Sequence, residues 1–187
     1  MKRLAVVMLA SLGLAMIADA AWIHVKARLA QVLLRAAWER VLDGAAAAEA
    51  KPWPSADTYP VARLTIERTG GDYIVLAGSS GQAFAFAPGL LENTARPGSD
   101  GNCVIAAHRD THFADLREVR DGDTLRVQRP DGRWFVYRVK ARQVVDRRET
   151  QVTRSTGAPM LTLITCYPFD AVVAGGNQRY VLTAALE

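Results

Sequence analysis

The sequence predicts an all-β fold closed, or nearly closed, into a barrel, and three observations lead there. Beyond residue 53 the apolar residues come in short alternating or continuous runs of strand length. Turn-forming Gly, Pro, Asp and Asn clusters separate those runs at short intervals, the pattern of a barrel or sandwich. The chain is 187 residues long, half hydrophobic and 22% charged, so it can fill one sizeable core and is neither disordered nor fibrous.

The elements before the barrel are of another kind. Lys2 and Arg3 precede a stretch from Leu4 to Ile23 in which Asp19 is the only charge, and about 20 apolar residues cross a bilayer as a helix. A secretory signal ending at Ala18-Asp19-Ala20 is the rival reading. Apolarity resumes through Ala21, Trp22 and Ile23, which favours an uncleaved anchor with Trp22 in the interfacial belt. Either reading exports the rest of the chain. From Val25 to Ala50, Leu29, Val32, Leu33, Ala36, Ala37 and Leu42 recur at helical spacing. They predict a stalk helix that is solvated or lies on the membrane surface, ended by the prolines of Lys51-Pro52-Trp53-Pro54. The organisation expected is an anchor or signal over 1–25, a stalk and linker over 26–52, and the folded domain over 53–187.

Within that domain Val61–Glu67, Asp72–Leu76 and Gln82–Phe86 read as strands, punctuated by Gly70-Gly71, Gly78-Ser79-Ser80-Gly81 and Pro88-Gly89. Asn102–His108 reads as a buried strand, and His112–Arg120 holds one or two helical turns. Thr124–Gln128 and Trp134–Val145 flank a hairpin turn at Pro130-Asp131-Gly132. Arg147–Pro159 is polar and reads as a loop, followed by strands at Leu161–Thr165 and Tyr180–Leu186.

The formal charge of +4 is diffuse. The first 50 residues hold six basic groups against four acidic ones, leaving 17 against 15 for the rest. There is no basic run and no basic patch interleaved with aromatic residues, so nucleic acid is not the expected partner.

Two cysteines in an exported domain raise a disulfide between Cys103 and Cys166. Their settings differ: Cys103 lies among Val104, Ile105 and Ala106 like a core thiol, whereas Cys166 ends an apolar strand and meets Tyr167-Pro168-Phe169. Five residues apart on a strand, Cys103 and His108 face opposite sides. A zinc set of Cys103, His108, His112 and Cys166 fits poorly for that reason, and no glutamate follows His108 as in a zinc-protease helix. Nucleophilic catalysis by a thiolate needs a proton-carrying partner and a cation for the developing oxyanion. Histidine is scarce: His24 belongs to the anchor region, leaving His108 and His112. Arg179 opens the last strand after Gly175-Gly176-Asn177-Gln178 and reaches the thiolate if that strand runs antiparallel beside the one ending at Cys166.

Thr162-Leu163-Ile164-Thr165-Cys166 resembles the Thr-Leu-x-Thr-Cys signature of the sortase family. Ala107-His108-Arg109 stands where that family has its histidine, and Arg179-Tyr180-Val181-Leu182 resembles its arginine strand. The order His, Cys, Arg agrees, and an N-terminal anchor agrees too, so the resemblance covers the chain from about its first residue, with the motifs between 60 and 187. Ala107 replaces the glycine often found before the histidine, a position that needs only to be small. His108-Arg109-Asp110-Thr111-His112-Phe113 and the short Cys-to-Arg interval look most like class D-like and proteobacterial sortases.

The resemblance implies an eight-stranded sortase-type barrel with short helices and a membrane-anchored cysteine transpeptidase. Cys166 would attack the Thr–Gly amide of a Leu-Pro-x-Thr-Gly-like signal on a secreted protein. Arg179 would hold the oxyanion, and His108 would protonate the departing amine before a second amine resolves the thioester. Thr165 and His112 are candidate substrate contacts, and Arg147–Pro159 matches the loop that walls the signal pocket. No cofactor or metal is called for. The implied location is the cytoplasmic membrane, single-pass, with the catalytic domain outside. An L,D-transpeptidase-like enzyme and a tethered, disulfide-bonded binding barrel are the alternatives.

Overall fold

Alternation of buried and half-buried residues along Pro60–Ile66, with Ala62, Leu64 and Ile66 facing inward, makes the first strand one wall of a core. The computed structural model describes residues 28–155, 157–171 and 175–187. Eight strands run in chain order: β1 (Pro60–Ile66), β2 (Gly71–Ala77), β3 (Gly89–Leu90), β4 (Asn102–Ala106), β5 (Thr124–Gln128), β6 (Trp134–Asp146), β7 (Met160–Tyr167) and β8 (Gln178–Leu186). They form a closed barrel in the order β1-β2-β3-β4-β7-β8-β6-β5. Pairing of β1 with β5, from Arg63 opposite Gln128 to Ile66 opposite Leu125, seals it and leaves no long free edge. Leu64, Val75, Ile105, Leu125, Tyr137, Leu161, Leu163 and Leu182 fill the interior.

Parallel pairs occur only at β2–β3 and β4–β7 among the described residues. A parallel pair needs a crossover, and between β2 and β3 it is the helix α2 (Gly81–Phe86), where a strand is expected from the sequence. Ala83-Phe84-Ala85-Phe86 alternates like a strand, but Ser80 caps a helix by accepting the Ala83 N–H at 3.2 Å, and Ala83 and Ala87, four apart, are buried together. The two-residue β3 behind it carries no sequence signal of its own. Gly89 is required there because a Cβ would stand 2.2 Å from the Gly78 carbonyl oxygen.

The stalk is also corrected. Residues 28–42 are helical (α1), but one face of the helix is docked on the barrel while the other stays exposed. Leu34, Ala37, Trp38 and Val41 are buried against Ile74, Leu76, Ala83 and Ala87. Leu29 and Val32, two of the residues that predicted the apolar stripe, are 54% and 62% exposed. Two apolar stripes wind around this helix, and the barrel takes the one bearing Trp38, whose large ring buries the most surface. Arg35 at the helix surface pairs with Asp72, which also holds Arg63 at 2.8 Å. The expected membrane anchor at 1–25 lies outside the described residues. Among those described, no helix is long and apolar enough to cross a membrane.

Candidate active site

On β7, Leu161, Leu163 and Thr165 are buried, and parity turns Cys166 to the outer face at the end of the strand. Its antiparallel neighbour β8 sets Arg179 directly opposite Cys166. Residues opposed in this way share a face with Cβ atoms about 5 Å apart, so the proximity expected of Arg179 is present. On the other flank β4 runs parallel to β7, with Ala106 opposite Ile164 and the Ala107 N–H donating to the Ile164 carbonyl at 3.2 Å. Two residues beyond that pair, the chains reach His108 and Cys166. Thiol, imidazole and guanidinium thus stand at one end of three adjacent strands.

Each is held by its surroundings. Thr165, 2% exposed, donates its hydroxyl to the Ala107 carbonyl at 2.8 Å. This ties β7 to the residue before His108 and puts the hydroxyl in the wall, away from the open face where a substrate contact was expected. His108 is exposed and meets the Phe84 ring of α2 edge-on, with centroids 5.9 Å apart. Arg179 uses Nη1 to donate to the carbonyls of Gly176 at 3.1 Å and Gln178 at 2.8 Å. Its Nε and Nη2 donors are available to an oxyanion, in that they have no hydrogen-bond partner among the described residues.

His112 is half-buried. Its Nδ1 lies 3.3 Å from the Thr111 hydroxyl and its ring is edge-on to Tyr73. Burial lowers its pKa; the Phe86 carbonyl beside it offsets part of that, and the charge of His108 adds to the lowering.

The two thiols are far apart. Cys103 stands opposite Leu161 and Cys166 is five residues further along β7, about 16 Å at strand rise. That distance excludes a disulfide between them and breaks up the four-ligand zinc set. Both thiols are free; Cys103 is in the core, where burial pushes its pKa up to about 12, and Cys166 is half-exposed.

One contributing residue carried no signal in the sequence. Arg109 is 6% exposed and its guanidinium donates to the carbonyls of Ala171 at 2.9 Å and Gly175 at 3.3 Å. It ties the residue after His108 to the loop after Cys166. Because these two partners are backbone carbonyls, no side-chain pattern announces them.

A half-exposed thiol with a cation opposite it and an imidazole just beyond the end of the neighbouring strand is a set suited to acyl transfer. A family model described as "Sortase domain" matches residues 64–187. Sortase D of Bacillus subtilis (strain 168) is 28% identical over 120 residues, 64% of this chain; the chain spans 60% of that relative's length. A Clostridium perfringens sortase D5 transpeptidase superposes with a TM-score of 0.62 at 26% identity, over 69% of this chain and 79% of that one. A mutant sortase E from Streptomyces avermitilis gives 0.59 at 27% identity, over 68% and 87%. A lid mutant of Corynebacterium diphtheriae sortase A, 22% identical, shares the fold with a TM-score of 0.64 over 86% of this chain and 94% of that one.

Proposed function

The chain belongs to the sortase family, and on that premise we propose that it is a membrane-anchored cysteine transpeptidase cutting a Leu-Pro-x-Thr-Gly-like signal between Thr and Gly. The observation that carries the proposal is the register of β7 and β8, which opposes Cys166 to Arg179 on the face that His108 borders.

In this reading the Cys166 thiolate adds to the Thr carbonyl carbon. The guanidinium of Arg179 donates to the oxyanion, a task suited to a planar fork that stays charged. Collapse breaks the C–N bond, and His108 passes its proton to the departing glycine amine, leaving a thioester on Cys166. A second amine attacks that thioester, His108 takes its proton, and the thiolate is released. Imidazole suits both directions because it titrates near neutral pH.

The signal peptide would lie along the wall made by 147–159, whose 3₁₀ turn Thr150–Thr153 is held to β4 by the Asn102 side-chain amide donating to the Val152 carbonyl at 3.0 Å. His112 would border the signal peptide from the segment after His108. Leu4 to Ile23 would sit in the cytoplasmic membrane with Lys2 and Arg3 inside and the barrel outside. Family membership weighs against the L,D-transpeptidase reading, and the separation of the thiols removes the disulfide on which the binding-module reading relied.

The test is to incubate the full chain in mild detergent with Leu-Pro-x-Thr-Gly-type peptides and candidate amines, followed by mass spectrometry. Products joined to the amine through the Thr carbonyl are expected. Intact peptide across the whole set contradicts the proposal.

A further inference from the structure

We propose that Gln31 of α1 is a positioning residue for His108, acting through the Phe86 carbonyl and α2. The proposal rests on the reading of His108 as the proton donor. The contacts form a short chain. Gln31 Nε2 donates to the Phe86 carbonyl at 2.6 Å, a hydrogen bond between residues 55 apart in sequence. Phe86 ends α2 and the Ala83–Ala87 face of that helix is packed against α1 and β2. Two residues earlier on α2, Phe84 meets the His108 ring edge-on at 5.9 Å. The same Phe86 carbonyl lies beside His112, so α2 touches both ends of the His108–His112 segment.

His108 needs such a support. It is exposed and comes after the end of β4, so no strand pairing of its own holds the ring. An aromatic edge contact restricts the ring's tilt, but only if the helix carrying the aromatic residue is itself fixed. α2 is six residues long, too short to hold itself, and the packing of Ala83 and Ala87 against α1 is apolar and therefore non-directional. The Gln31 hydrogen bond is directional and sets its position along α1. Orientation of this kind acts on proton delivery and leaves peptide binding nearly untouched.

The test compares single-turnover acylation of the full chain by an amide peptide and by an activated ester of the same acyl group, whose leaving group departs unprotonated. Gln31→Met, which fills the space without a donor, is expected to slow amide acylation about tenfold with little change in the half-saturating peptide concentration. Its acylation by the activated ester should match the wild type, and Gln31→Lys, which restores a donor, should recover the amide rate. Equal losses on both substrates, an unimpaired Gln31→Met, or a Gln31→Lys as slow as Gln31→Met would overturn the proposal. A second reading does not depend on turnover: the His108 ring-proton resonance, shifted by the Phe84 ring current, should move in Gln31→Met and return in Gln31→Lys. A resonance that stays put in Gln31→Met overturns the proposal. A wild type that cleaves neither substrate defeats the transpeptidase reading instead, and the resonance then decides the positioning by itself.

Discussion

At the scale of single residues, Arg179 makes the sharpest demand. Its guanidinium is oriented by two backbone carbonyls through Nη1, so its other donors point in a fixed direction. Loss of one oxyanion donor typically costs about 3 to 4 kcal/mol in the transition state. Arg179→Lys keeps the charge and loses the fork, and turnover is expected to fall by roughly two orders of magnitude or more with the fold intact by circular dichroism. Near-wild-type turnover in that variant would demote Arg179 to a bulk electrostatic contact.

His112 makes a second prediction at this scale. Burial lowers its pKa from the ordinary 6.5, so as pH falls the unfolded chain takes up this proton before the folded chain does. The stability linked to neutral His112 is therefore complete above about pH 6.5 and is lost as pH falls through the folded value. Denaturant titrations at about pH 7.5 and about pH 5.5 should show a smaller drop in stability for His112→Gln than for the wild type. An equal drop would place the titration elsewhere.

At the scale of elements, α1 offers a direct choice between its two apolar stripes. Leu34 is fully buried and Trp38 is 2% exposed; large-to-small changes at such sites cost about 2 to 5 kcal/mol. Leu34→Ala and Trp38→Ala should each lower the thermal midpoint by several degrees. Leu29→Ser and Val32→Ser, on the outer stripe, should leave it within the scatter expected of surface changes, about 0.5 kcal/mol. The reverse ranking would return α1 to the role of a free stalk. The elements also show what the sequence could and could not reveal. β1 and β5 were legible from their alternation, β2 and β6 from apolar runs of strand length, and all four from the turn residues that bracket them. The helix α2 was not, since Ala-Phe-Ala-Phe has the strand period and only the Ser80 cap and the Ala83–Ala87 pair, satisfied in the folded state, decide otherwise. The docked face of α1 was hidden by a second apolar stripe, and the tie from Arg109 to Ala171 and Gly175 by its ending on main-chain carbonyls.

At the scale of the whole molecule, barrel closure is what assembles the site. Cys166 and Arg179 are 13 residues apart in sequence, and His108 lies 58 residues before Cys166; only the order β4-β7-β8 brings the three to one end. The residue types and their chain order were readable, whereas the side-by-side placement depends on long-range pairing that no local pattern encodes. The same closure sends Cys103 inward and about five strand positions from the rim, so the two thiols must behave differently. Cys103→Ala is expected to keep most activity and to cost roughly 1 to 3 kcal/mol of core packing. The most direct test of the central claim is intact and peptide-level mass spectrometry of the full chain quenched in acid during turnover of a Leu-Pro-x-Thr-Gly-type peptide. An acyl adduct on the peptide containing Cys166, retained in Cys103→Ala and absent from Cys166→Ala together with all cleavage, is the predicted result. An adduct on Cys103, or cleavage that persists in Cys166→Ala, would contradict it.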